Sequence, residues 1–195
     1  WHGTGGGDTF AWNAGGYYTY DTGNDVTNSL RYAVNERDVY IEVEFYHTNA
    51  YPTDMTSGVV ARYQLGSGSG SSESADHYYA SVREDSPSQG SAGYAEDVSI
   101  VKTNRSTVAI GPADGASAPA IVEDQYRKQA IAIWGINSTN GKFWDNDTAA
   151  SMGPVGYPSQ TVTKSGTDAT DYEGAGDAGV IVAQGAARVR NILIR

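Results

Sequence analysis

Apolar and polar residues alternate with a period of two along Val39-Tyr40-Ile41-Glu42-Val43-Glu44-Phe45-Tyr46. The alternation puts Val39, Ile41, Val43 and Phe45 on one face of a strand and Tyr40, Glu42, Glu44 and Tyr46 on the other, one buried and one wet. After a turn over 49–54, residues 58–64 read as a second strand, and His77–Arg83 follow as a third beyond a Gly/Ser loop. Shorter strands are predicted at 17–20, 29–34, 97–102 and 106–110. Residues 129–136 form the most apolar run, that of a buried central strand. Asn140-Gly141 is the pair best suited to a tight hairpin, with Lys142-Phe143-Trp144 as the return strand. The chain closes with strands over 178–183 and 187–194. In the last strand Val189, Asn191 and Leu193 share one face, and Arg188, Arg190, Ile192 and Ile194 the other. Residues 1–16 are Gly-rich, with Trp1, Phe10 and Trp12 as expected anchors, and 147–178 form a long polar stretch broken by Gly and Pro.

No helix longer than a turn or two is predicted, and no repeat is evident. The pattern predicts an all-β chain, about twelve short strands in a two-sheet antiparallel β-sandwich. The 24 glycines and 14 tyrosines among 195 residues fit strands and tight turns. The expectation is one domain over residues 1–195. The abrupt start at Trp1 reads like a trimmed domain or mature product.

Composition narrows the function classes. No run approaches the ~18 apolar residues of a membrane-spanning helix, so no membrane insertion is expected. A net charge of −10 without a basic run disfavours nucleic acid and anionic membranes as partners. There is no cysteine, so disulfides and thiolate metal sites are excluded.

The order of segments resembles the laminin-G-like, concanavalin-like jelly roll. The resemblance rests on Val39–Tyr46, then Ser57–Tyr63, Tyr78–Val82, Arg127–Ile136 running into Asn140–Trp144, and last Gly176–Val182 with the closing Ala187–Ile194. It implies a fold used by carbohydrate-binding modules, polysaccharide lyases and glycosidases, adhesion domains and viral surface proteins.

Sugar sites on such a scaffold need flat rings for pyranose faces and charged groups for hydroxyls or carboxylates. Arg62 interrupts an apolar strand; it either pairs with Glu42 or Glu44 on the next strand or meets a ligand. Tyr79 shares its parity with the polar set His77, Ser81 and Arg83, and is expected to be exposed. Trp134 beside Ala130 and Ala132 suits a binding platform or a core. Trp144, before Asp145 and Asn146, reads as an exposed tryptophan at a loop start or as an anchor. The candidate ligand-binding residues are therefore Arg62, Tyr79, Arg83, Trp134, Trp144 and His77. The resemblance also implies a structural calcium ion on the convex side, where Asn191 takes the place of an acidic ligand, and Asp21 with Asp25 forms another oxygen-rich cluster. Glu42 and Glu44 stand about 7 Å apart on one strand face, but the strand motif of this fold's glucan hydrolases is absent.

The function expected first is an extracellular, non-catalytic carbohydrate-binding module that takes a polysaccharide on the concave sheet face or edge loops. The alternatives are a structural or adhesion domain that contacts copies of itself in a surface assembly, and a polysaccharide lyase using His77, Tyr79, Arg62 and Arg83.

Overall fold

A computed structural model describes residues 2–4, 10–21, 27–47, 55–64, 77–84, 97–103, 108–109, 126–135, 138–146, 164–168, 174–183 and 186–195. Every regular element among them is a strand: β1 (His2–Thr4), β2 (Ala11–Asn13), β3 (Tyr17–Asp21), β4 (Thr27–Glu36), β5 (Val39–His47), β6 (Met55–Tyr63), β7 (His77–Glu84), β8 (Asp97–Thr103), β9 (Val108–Ala109), β10 (Tyr126–Trp134), β11 (Thr139–Asn146), β12 (Lys164–Asp168), β13 (Gly176–Ala183) and β14 (Ala186–Ile194). They form two seven-stranded sheets. The order in the first is β1-β4-β13-β6-β7-β8-β9, and in the second β12-β11-β10-β5-β14-β3-β2. All pairings among the described residues are antiparallel. The all-β sandwich read from the alternation is thus the fold.

The core lies between the sheets. Leu30, Val59, Ala61, Tyr78, Val180 and Val182 of the first sheet meet Ile41, Val43, Phe45, Ile131, Ile133 and Val189 of the second. Each alternates with outward residues, as a period of two requires. Burying such a side chain contributes about 1.5–3 kcal/mol, so the apolar parity of β5 and β10 fixes which way both strands face. Strand β5 is central in its sheet, flanked by β10 and β14.

Three expectations from the sequence change. Asn140 and Gly141 lie inside β11, opposite Trp134 and Ile133, so they do not form the hairpin turn. The turn comes earlier, where Gly135 adopts φ +116° and passes so close to the Ser138 carbonyl that a Cβ has no room. Trp12 is not an anchor: it is 63 % exposed on β2 and meets Tyr18 edge-on at 5.0 Å between centroids. Residues 164–168, expected to be irregular, form the edge strand β12.

Two irregularities redirect side chains. In β6, Ala61 and Arg62 together stand opposite Ala178, because Val60 pairs with Gly179 and Tyr63 with Asp177. Arg62 takes φ +53° there. A Cβ at Gly176 would press on the Arg62–Tyr63 peptide, with the Tyr63 nitrogen at 2.7 Å, so glycine lets the bulged chain approach. In β14 the register slips between Arg190 and Leu193, and Asn191 takes φ +52°. That extra residue inverts the parity read from the sequence. Ile192 and Ile194 pack on the core, while Leu193 lies opposite Glu42 on the outer face.

Candidate functional site

Arg62 is fully buried and points between the sheets. The bulge swings its guanidinium toward the second sheet. There Nε donates to the Arg37 carbonyl at 2.6 Å, Nη1 to Thr139 Oγ1 at 2.8 Å and Nη2 to the Gly135 carbonyl at 2.9 Å. Asp38 Oδ1 is 3.7 Å from Nη2 and accepts from the Gly135 amide at 3.0 Å. One side chain of β6 thereby ties the β4–β5 crossing to the β10–β11 turn. This corrects both the assignment to a ligand and the expected partners. Glu42 and Glu44 lie on the opposite face of the second sheet, out of reach.

The other candidates are divided between the sheets. His77, Tyr79 and Arg83 belong to β7 in the first sheet, with backbones opposite Thr103, Val60 and Thr56; their side chains lie outside the described structure. Trp134 and Trp144 face outward from the second sheet. The candidate set therefore does not converge on one surface. Trp134, 37 % exposed, has the Lys142 ammonium 5.9 Å from its ring centroid. Trp144 is not at a loop start. It lies within β11, 2 % exposed, packed with Ala130, Ala132 and Tyr40.

Of the proposed calcium ligands, Asp25 lies outside the described residues, as does the side chain of Asp21. Asn191 is exposed on the β14 bulge, and its amide nitrogen donates to Glu44 Oε2 at 3.0 Å beside the Arg190 guanidinium. Among the described residues no three His, Cys, Asp or Glu side chains gather round one point.

The outer face of the second sheet holds a grouping that parity alone could not show. Antiparallel register brings Tyr40, Glu42, Glu44 and Tyr46 of β5 opposite Ala132, Ala130, Lys128 and Tyr126 of β10. Arg188 and Arg190 of β14 lie opposite Tyr46 and Glu44 on the other side. The expected wet face is closed at its centre: Glu42, Glu44 and Lys128 are only 6–7 % exposed. Lys128 Nζ sits 2.8 Å from Glu42 Oε1 and 3.8 Å from Glu44 Oε1. The Tyr40 hydroxyl donates to Glu42 Oε2 at 2.6 Å, and Arg190 Nε to Glu44 Oε2 at 2.7 Å. Each buried charge thus has an opposite one, the condition under which charges are tolerated away from water.

Around this centre lie half-buried rings and cations. The Arg190 guanidinium carbon is 3.3 Å from the Tyr126 centroid, and the Tyr126 and Tyr46 rings are 5.1 Å apart. Arg188 stands 4.9 Å from the Tyr46 ring on β5 and 5.3 Å from the Tyr17 ring on β3. Planar cations over aromatic faces are favourable contacts that leave the in-plane N–H groups available. From Trp134 to Tyr126 the face runs about 26 Å along β10 at a strand's rise per residue. Such a surface offers flat apolar rings, cationic donors and a rigid backbone. Tyr17, Tyr46, Tyr126, Lys128, Arg188 and Arg190 are not among the candidates read from the sequence. The available signal was parity, since Arg188-x-Arg190 alternates as Tyr40-x-Glu42-x-Glu44-x-Tyr46 does.

Similar folds occur among solved structures. The carbohydrate binding module CBM66 from Bacillus subtilis superposes with a TM-score of 0.64 at 13 % identity, over 99 % of this chain and 94 % of that one. A legume lectin-like domain from Entamoeba histolytica gives a TM-score of 0.51 at 9 % identity, over 100 % and 88 %. The alginate lyase Aly36B, as a mutant in complex with an alginate tetrasaccharide, gives 0.51 at 6 % identity, over 94 % and 84 %. The sequence matches no family model and no curated protein. The chain therefore has the jelly-roll β-sandwich that the order of its segments resembles, at identities that carry the fold alone.

Proposed function

We propose that this chain is a non-catalytic carbohydrate-binding module, one sandwich over residues 1–195, working outside the cell on a polysaccharide. The observation that carries the reading is the outer face of the second sheet, where Trp134, Tyr126, Tyr46 and Tyr17 share a surface with Lys142, Arg188 and Arg190. Rings of this kind pack on the apolar faces of sugars, and the cations donate to hydroxyl or acid oxygens. The fold shared with a carbohydrate binding module and a lectin-like domain supports the same reading. No described helix is long and apolar enough to cross a membrane.

Affinity electrophoresis through gels containing a panel of soluble polysaccharides tests it. At least one glycan should retard the protein, and Trp134→Ala should weaken that binding about tenfold, the scale of an aromatic contact, with the melting temperature unchanged. A protein that runs freely in every gel yet assembles with itself would replace the module by a structural surface domain. Release of unsaturated uronides, followed by absorbance, would replace it by a lyase.

A further inference from the structure

We infer that the outer face of the second sheet selects an acidic polysaccharide, with the Arg188 guanidinium as its oxyanion receptor and Lys142 as a second anionic contact. The inference deepens the carbohydrate-binding reading and rests on it.

Charge is distributed unevenly on this face. Among the described outward side chains within β5, β10, β11 and β14, the carboxylates are Glu42 and Glu44, and the cations are Lys128, Lys142, Arg188 and Arg190. Four against two gives a local excess of two positive charges on a chain of net charge −10. At physiological salt, charges more than ~8 Å apart are largely screened, so a ligand on this face responds to its local charges more than to the net charge.

The cations also differ in how they are engaged. Lys128 and Arg190 neutralise the two glutamates. Arg188 has Tyr46 on one neighbouring strand and Tyr17 on the other, and among the described residues it has no hydrogen-bond or ion-pair partner. Ring contacts supply no oxygen acceptor to the guanidinium, whose N–H fork matches a two-oxygen acceptor. Lys142 is similarly set: it is exposed, stands over Trp134 and meets no described carboxylate. A cation held on a ring and left without a counter-charge is pre-organised for an anion.

Spacing favours a polymer over a small anion. Lys142 lies opposite Ala132, which lies opposite Tyr40, while Arg188 lies opposite Tyr46. Six residues along β5 and three strand intervals separate the two backbone positions, about 24 Å on the diagonal. One small anion cannot meet both. A chain of uronate or sulfated sugars can, with Trp134 and the tyrosines beneath the rings between them.

Calorimetric titration of the whole chain tests this with four probes: polygalacturonate, its carboxyl-reduced neutral counterpart, dextran sulfate and dextran. One acidic polymer should bind at least tenfold more tightly than its neutral partner, and added salt should weaken it. Whether polygalacturonate or dextran sulfate leads tells carboxylate from sulfate. Arg188→Ala should reduce affinity about ten- to a hundredfold, the scale of a charge-assisted pair. Arg188→Lys should recover only part of it, because an ammonium lacks the fork, and Lys142→Ala should give a smaller loss. Thermal melting should be unchanged for all three variants. Equal affinity for polygalacturonate and its reduced form, with dextran sulfate no better than dextran, overturns the acidic selectivity while leaving sugar binding in place. Full affinity in Arg188→Ala, or complete recovery in Arg188→Lys, removes the receptor role. Binding to none of the four probes, nor to any glycan of the gel panel, removes the carbohydrate reading itself.

Discussion

Arg62 and Arg188 are the same residue type, each within a strand and each close to an aromatic ring, yet they lie in opposite environments. Arg62 stands on a bulge of the first sheet and is sealed between the layers, its donors directed at two main-chain carbonyls and a threonine hydroxyl. Arg188 stands on a regular stretch of β14 and faces outward between tyrosines. The buried one is met by acceptors that the protein itself supplies. The outer one rests between two rings, which offer it no oxygen acceptor. An arginine that interrupts an apolar strand is therefore no guide to binding by itself; what matters is which side of the sheet it is turned toward and whether the protein supplies its acceptors.

The comparison can be broken most directly at Arg62. Arg62→Ala should destabilise the fold by about 3–5 kcal/mol, since it removes a fully buried side chain and its three hydrogen bonds to Arg37, Thr139 and Gly135. Urea denaturation reads that loss. A variant that folds normally and fails only in glycan binding would make Arg62 equivalent to Arg188 and undo the contrast. The effect of Glu44→Gln should be smaller, about 1–3 kcal/mol. It removes the charge shared by Lys128 and Arg190 on a side chain that is 9 % exposed. A thermal melt checks this, and an unchanged midpoint would mean the charged centre is not structural. Least affected should be Asp38→Asn. That carboxylate is 68 % exposed and lies 3.7 Å from Arg62, so its removal should change stability by less than about 1 kcal/mol. A loss as large as that of Arg62→Ala would show that Arg62 depends on its carboxylate rather than on the carbonyls.

The sandwich was legible because its signal is local. Val39–Tyr46 alternates strictly, and β5 became the central strand with Ile41, Val43 and Phe45 inside. Misreadings occurred where a glycine or a bulge altered the count. Asn140-Gly141 has the composition of a turn, but Gly135 takes the positive φ first. In the last strand the two faces read from alternation exchange beyond Asn191, because one extra residue reverses parity and leaves no mark in the pattern. Trp144 was read beside its polar neighbours Asp145 and Asn146, whereas its environment is made by Ala130 and Ala132 of another strand.

Local order along the chain carried the strand class, the inner set of β5, and the supply of rings and charges for a site. Those follow from side chains alternating about one backbone, which neighbours in sequence express. The tertiary structure alone decided that Glu44 meets Arg190, 146 residues away, that Arg62 turns inward and that Arg188 stands between Tyr17 and Tyr46. Strand order, register and bulges set these contacts. They depend on which segments pair across the whole chain, information no local window holds.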